Sequence, residues 1–225
     1  LIDLARRLER AAYRAADAVT VLSTEVESNT AAKVAGLGRP PMVETIPNFV
    51  DTDNLRPLDR LTEYRRENLL GDRTVVMYAG NLGHSQSLDL VVEAARRHQN
   101  RDDLVYVING GGVRTEEIVA VAVGLKNLIV IGYQPFERLA EVLATGDIHV
   151  VPLRTGLASA SVPSKVYSTM AAGRPIIASV DQDTEVALMV ADADAGLAVP
   201  PDDPDAFIAA VEFLAGDVEL RTRMG

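Results

Sequence analysis

The chain has 225 residues, of which 48% are apolar, 24% charged and 4% aromatic, enough to build a core and incompatible with a disordered or collagen-like polypeptide. A formal charge of −10 repels a phosphate backbone and argues against generic nucleic-acid binding. With no cysteine, disulfides and thiolate zinc sites are excluded, and His84, His98 and His149 are too widely spaced to form a helical metal pair.

At the start of the chain, Leu1, Leu4, Ala5, Leu8 and Ala12 share one helical face, which predicts a helix from Leu1 to Ala16. Val19 to Leu22 reads as a strand and Glu25 to Ala35 as a second helix. A Gly- and Pro-rich passage follows from Gly36 to Pro41. One strand cannot make a sheet, so residues 1–45 are expected to be the end of another domain whose remainder lies upstream. The chain opens without a methionine and reads as a fragment, so the lack of a leader says nothing about targeting. Residues 46–72 are expected to form a linker and 73–225 a second domain.

From Gly71 onward, short Val- and Ile-rich runs alternate with helical patterns. The strands predicted are Thr74–Ala79, Leu104–Ile108, Leu128–Ile131, Ile148–Val151, Ile176–Ala178 and Gly196–Val199. This rhythm indicates an α/β fold with a parallel sheet built from βαβ units, its strands buried on both faces. Leu88, Val91, Val92 and Ala95 have helical spacing, as do Phe207, Ala210, Val211 and Leu214. Pro135 and Pro204 suit first helical turns, and Gly146 and Gly173 suit helix ends. The longest apolar stretch, Ile118 to Leu125, has eight residues against the roughly 18 needed to cross a bilayer.

In such a sheet, ligands bind beyond the carboxyl ends of the strands, and three loops there stand out. In AGNLGHSQS, from Ala79 to Ser87, Gly80 and Gly83 would let backbone amides approach a ligand; an ordinary tight turn explains the same glycines. In NGGG, Asn109 and Gly110 open a second permissive turn, for which plain flexibility is the alternative. In VPSKVYSTMAAGRP, Ser164 precedes a short helix whose first turn holds Lys165, one of only three lysines beside 19 arginines. A cation there opposes the helix dipole unless an anion binds it, and a diphosphate is the natural occupant; a solvated surface lysine is the alternative.

Taken in order, ADAVTVLS, IPNFVDTDNLRP, YAGNLGHSQSLDLVVEA, VPSKVYSTMAAGRPIIAS and AGLAVPPDDPDAF resemble a retaining GT-B-type glycosyltransferase of family 4. The PSK ahead of the helix is most similar to the branch that adds deoxy-amino sugars in bacterial O-antigen and capsule assembly. The resemblance implies two facing Rossmann-like domains, with 73–225 as the C-terminal, nucleotide-sugar-binding one and 1–45 as the end of the acceptor domain. It also implies a nucleoside-diphosphate sugar as donor, a glycan or lipid-linked acceptor, and no cofactor or metal. The setting implied is cytoplasmic, with peripheral membrane contact through the upstream half.

Carried across residue by residue, the family's diphosphate-binding Arg and Lys align with Asn81 and Gln86, and its two glutamates with Ala160 and Ser168. All four charges are absent, although Ser168 keeps a hydroxyl. Lys165 is then the natural substitute cation, and Lys165 with Asn81 would face the reacting diphosphate. Tyr133 matches the loop that meets the nucleotide base, with simple packing as the alternative. Glu185 would reach the donor or cap its own helix, and Arg174 reads as a surface cation. The mechanism implied is front-face transfer with retention, which needs positioning and stabilisation of the leaving diphosphate rather than a protein nucleophile. Two other readings share the fold: a sugar-nucleotide 2-epimerase using His84, and a degenerate, non-catalytic nucleotide-binding module.

Overall fold

The computed structural model describes residues 2–225; Leu1, which the predicted first helix includes, lies outside them. In chain order the first elements are α1 (Ile2–Ala15), β1 (Ala18–Val21), α2 (Thr24–Val34), β2 (Met42–Thr45) and α3 (Glu63–Glu67). Next come β3 (Thr74–Asn81), α4 (Asp89–Arg97), β4 (Leu104–Gly111), α5 (Thr115–Ala122) and β5 (Leu128–Ile131). After a 3-10 turn (Phe136–Arg138) follow α6 (Leu139–Thr145), β6 (Ile148–Pro152) and α7 (Lys165–Ala171). The chain closes with β7 (Ile176–Ser179), α8 (Glu185–Asp192), β8 (Gly196–Val199), α9 (Pro204–Ala215) and α10 (Val218–Met224). These elements fall into two units, one running through Phe49 together with Gly156–Val162, the other made of Val50–Thr155 and Pro163–Gly225.

In the first unit, β1 and β2 pair in parallel, from Ala18 opposite Met42 to Val21 opposite Thr45. This corrects the expectation of a single strand. Met-Val-Glu-Thr, directly after two prolines, has no apolar run to announce it, and only pairing with β1 makes it a strand. Ser23 caps α2 by accepting a hydrogen bond from the Val26 amide. None of the described residues of α1 is buried, and Leu4 and Leu8 of the apolar stripe read from the sequence are exposed, as is Ile2 beside it.

The second unit is a six-stranded, all-parallel sheet in the order β5-β4-β3-β6-β7-β8. Successive residues of β3 face opposite layers, as the two-residue period of a strand requires. Val76 and Tyr78 pack with α4 and α9 residues such as Val91 and Phe207. Val75 and Met77 pack with Tyr64, Leu70 and Val142 on the other side. Asp203, followed by Pro204 in the first turn of α9, caps that helix through the amides of Asp205 and Ala206.

At the amino ends of β3 and β6 lies an ionic cluster with no local signature in the sequence. Asp147 is 8% exposed and accepts hydrogen bonds from Arg60 Nε at 2.6 Å, from the Val75 amide at 2.8 Å and from Arg65 at 3.3 Å. Arg65, itself buried, also donates to the carbonyls of Gly71, Thr145 and Arg73. Arg174 is likewise not the surface cation expected. It is partly buried and donates to the carbonyls of Ala144 and Leu58, closing the α6 and pre-α3 segments over the sheet edge.

The end of α3 offers a stability test. Leu69 adopts the left-handed conformation (φ 53°) directly after the helix, its amide bonds to Arg66 O and the Leu70 amide to Arg65 O. That is the hydrogen-bond pattern of a glycine-terminated helix, here occupied by a leucine that is 83% exposed. Leu69→Gly is therefore expected to raise unfolding stability by about 1 kcal/mol, measured by urea titration. A decrease would mean that the leucine side chain contributes more than its backbone strain costs.

Candidate functional site

The strand order reverses between β3 and β6, and beyond their carboxyl ends opens the crevice where open α/β sheets take ligands. A cavity of about 250 Å³ lies there, lined by Gly80 of β3, Asn109 of β4, Tyr133 after β5, His149 of β6, and Lys165 and Ser168 of α7. Its far wall is apolar, made by Pro135, Phe136, Leu139 and Val142. A polar strand-end rim with an apolar wall is the usual make-up of a small-molecule site.

Lys165 is the cation of this cavity. Its side chain leaves the start of α7 and crosses to β3, where Nζ donates to Tyr78 Oη at 2.8 Å and stands 3.9 Å from the centre of the Tyr78 ring. Tyr78 Oη in turn donates to the Asn81 carbonyl at 2.5 Å. Lys165 forms no ion pair among the described residues, and no carboxylate lines the cavity. Burial without a counter-charge therefore pushes its ammonium down to about 7. An anion entering the cavity would restore the charged form.

Glycine is required at two of the predicted positions. A Cβ on Gly80 (φ 146°) would stand 3.1 Å from Lys165 Nζ, and one on Gly110 (φ 152°) 1.8 Å from the Gly80 carbonyl oxygen. Gly80 thus makes room for the lysine, while Gly110 lets β4 pair with β3 up to the edge of the cavity. Both strands consequently run past the ends read from the sequence, to Asn81 and Gly111.

The loop from Leu82 to Ser87 is held by charges that sequence reasoning did not single out. Arg154 donates to the His84 carbonyl at 3.0 Å and to Asp89 at 2.6 Å, and Asp89 also accepts from the buried Arg114 at 2.7 Å. Asp202 accepts from the hydroxyls of Ser87 and Thr155 and from the Thr155 amide. Within the loop, the Gly83 amide donates to Gln86 Oε1 at 3.1 Å, so that the side chain of Gln86 occupies this amide.

The predicted residues therefore separate in space. Gly80, Asn109, Tyr133, Lys165 and Ser168 line the cavity, and Asn81, Gly83, Gln86 and Gly110 form the adjoining strand ends and loop. Asn109 is buried and donates to the Gly132 carbonyl at 2.8 Å, which steadies the loop that carries Tyr133. Tyr133 is exposed, with its ring edge over Gly111. Ser168 donates to the Lys165 carbonyl, while the exposed Ser164 precedes α7 without a side-chain capping bond. Glu185 stands in the first turn of α8, away from the cavity lining, and Thr184 supplies that helix's side-chain cap.

His149 is fully buried against the cavity floor, where burial pushes its imidazole down to about 4 and Nε2 meets the Leu143 carbonyl at 2.8 Å. It is a neutral imidazole that donates to that carbonyl. His84 is exposed at the loop tip. Among the described residues no group of three or more His, Asp or Glu is placed to hold a metal ion, and no helix is long and apolar enough to cross a membrane.

The family described as Glycosyl transferases group 1 matches residues 73–217. Over 148 residues the chain is 30% identical to WcaI of Escherichia coli (strain K12), named for colanic acid biosynthesis glycosyl transfer, a match covering 64% of this chain and 36% of that protein. Over 218 residues it is 25% identical to a Pseudomonas aeruginosa protein named glycosyltransferase WbjE, covering 93% of this chain and 52% of that one. The chain thus spans about a third to a half of the length of these relatives. Among solved structures it is similar in fold to Anabaena Alr3699/HepE in complex with UDP and glucose. The TM-score is 0.77 at 14% identity, over 97% of this chain and 59% of that one.

Proposed function

The chain belongs to the group 1 glycosyl transferases, and on that premise we propose that residues 73–225 are the donor-binding half of an enzyme that transfers sugar from a nucleoside-diphosphate sugar. The acceptor in this reading is a cell-envelope glycan or a lipid-linked precursor of one, a reading in line with the colanic acid biosynthesis for which one relative is named. Residues 1–45 would belong to the acceptor half and 46–72 to the connection between the two. The compact unit that runs through Phe49 together with Gly156–Val162 supports the first boundary and the family match that begins at residue 73 the second, with residues 50–72 packed in the second unit. The GT-B fold with its Rossmann-like sheet is common to this chain and to structures determined with UDP.

One observation carries the reading: a single unpaired lysine stands in the cavity at the point where the strand order reverses. The diphosphate would lie over Gly80 with Lys165 as its counter-charge, and the base would lie toward Tyr133 and the apolar wall. In transfer with retention, the bond between the sugar C1 and the diphosphate oxygen breaks and the acceptor oxygen bonds C1 from the same face. The acceptor proton passes to the departing phosphate oxygen. Lys165 would stabilise the charge that collects on that leaving group, and no metal would be needed.

Calorimetric titration of the chain with UDP, GDP and dTDP, with and without EDTA, tests the reading. At least one diphosphate is expected to bind, its monophosphate counterpart to bind more weakly, and the chelator to make no difference. Binding of none of them would favour the degenerate module, and binding that collapses with EDTA and returns with magnesium would overturn the metal-independent site.

A further inference from the structure

The Lys165 amine owes its place to one other side chain. Tyr78 reads in the sequence as one more apolar position of a core strand, and its ring does pack among Val76, Leu82 and Tyr106. Its hydroxyl lies directly behind the cavity lining, against Lys165 and beside Gly80. There its single proton is committed to the Asn81 carbonyl at 2.5 Å, so the oxygen presents lone pairs, and only lone pairs, to Lys165 Nζ at 2.8 Å. The same ring offers its face to Nζ at 3.9 Å. Two features of one tyrosine, an acceptor fixed by the backbone and a π face, thus hold a flexible four-carbon side chain in one position.

We propose that Tyr78 is the positioning residue of the donor site, holding the Lys165 ammonium over Gly80 in the place a diphosphate needs it. The inference rests on Lys165 being the diphosphate's counter-charge. The Asn81 backbone belongs to the device as well. Its carbonyl orients the phenol that orients the lysine. The charged group and its support therefore come from two elements far apart in sequence, α7 and β3.

Among the described residues Tyr78 is the only hydrogen-bond partner of Nζ. Facing the cavity from β6 is His149, neutral and tied to Leu143, and from the loop after β5 comes Tyr133. On α7 itself Ser168 bonds to the Lys165 carbonyl, and Tyr167 is raised by burial and by Glu185 of α8. Since the phenol oxygen accepts from the ammonium, removing it must disfavour the charged lysine.

A double-mutant cycle with UDP as the probe tests the proposal. Tyr78→Phe keeps the ring and is expected to weaken UDP binding about three- to tenfold at pH 8. In a Lys165→Met background the same change should alter UDP affinity by less than about twofold, because the group it positions is gone. A loss that persists undiminished in that background would mean that Tyr78 acts on the ligand or the fold directly, and would overturn the proposal. A second readout needs no ligand. The chain has three lysines, so reductive 13C-methylation resolves them by NMR, and Tyr78→Phe should move the Lys165 titration to lower pH while leaving Lys33 and Lys126 unchanged. An unmoved Lys165 titration would also overturn it. If Lys165→Met itself leaves UDP affinity intact, the diphosphate reading of Lys165 fails, whatever the NMR titration of Lys165 shows.

Discussion

Lys165→Ala is expected to reduce affinity for a nucleoside diphosphate by about tenfold or more while leaving the fold as stable as before or more so. The loss follows from removing a charge-assisted hydrogen bond to phosphate, which contributes about 1.5–3 kcal/mol. The opposite sign for stability follows from the ligand-free site, where the half-buried lysine meets Tyr78 and has no counter-charge among the described residues. Burial lowers its pKa to about 7, so at neutral pH and below the folded chain bears the cost of an ammonium kept from water. Between pH 7 and the ordinary lysine range near 10.4 the unfolded chain binds a proton that the folded one does not. Stability from this group is therefore greatest above that range and is lost as pH falls toward 7.

Ligand binding runs the other way. An anion beside Nζ raises the pKa, so binding above pH 7 takes up a proton, and affinity should fall as pH rises from about 7 toward 9. Below 7 it should be flat until the phosphate itself titrates near 6. Lys165→Ala should abolish the slope along with the affinity, and Lys165→Arg should restore only part of the binding, because a planar fork does not occupy the position of a point charge. Calorimetry across this range, with thermal melts alongside, decides it. Equal affinity and an equal slope in wild type and Lys165→Ala would return Lys165 to an ordinary side chain.

The sheet was legible in the sequence because buried parallel strands are written as short Val and Ile runs, and Leu128–Ile131 and Gly196–Val199 match their predicted limits. The strands bordering the site were read too short for a physical reason. Asn and Gly are poor strand formers, so β3 and β4 seemed to stop at Ala79 and Ile108, yet Gly80 and Gly110 stay paired where no side chain could fit. Lys165 could be picked out because its motif and the scarcity of lysine are both local facts. Tyr78 could not, since a tyrosine within Val-Val-Met-Tyr-Ala gives no sign that its hydroxyl lies behind a cavity lining. Arg154, Asp89 and Asp202, which hold the loop after β3, come from three segments and meet only in the folded chain. Arg174 was misread for the same reason: the carbonyls it serves, Ala144 and Leu58, lie 30 and 116 residues away.

Asp147→Ala should be among the most destabilising single changes, lowering unfolding stability by about 3–5 kcal/mol, the cost of leaving a buried charge without its partner. Arg65 is 2% exposed and could not rehydrate, and the Val75 amide at the start of β3 would lose its acceptor as well. Burial by itself would raise the Asp147 carboxyl, but the Arg60 hydrogen bonds, the Val75 amide and the Arg65 charge together hold it below the ordinary carboxylate value. A group with a depressed folded-state pKa contributes its stability above the unfolded value. The wild type should therefore lose this contribution as pH falls below about 4, and Asp147→Ala should show a shallower acid transition. Asp147→Asn keeps the shape and one acceptor for the Val75 amide but not the charge, and should fall between the two. Urea titrations at pH 7 and pH 4 measure all three variants. A cost under about 1 kcal/mol for Asp147→Ala at pH 7, with an unchanged m-value, would show that water reaches Arg65 and that the cluster is a surface pair in energetic terms. Since the cluster sits at the amino ends of β3 and β6, opposite the cavity, its variants should keep UDP affinity within about twofold wherever the chain remains folded.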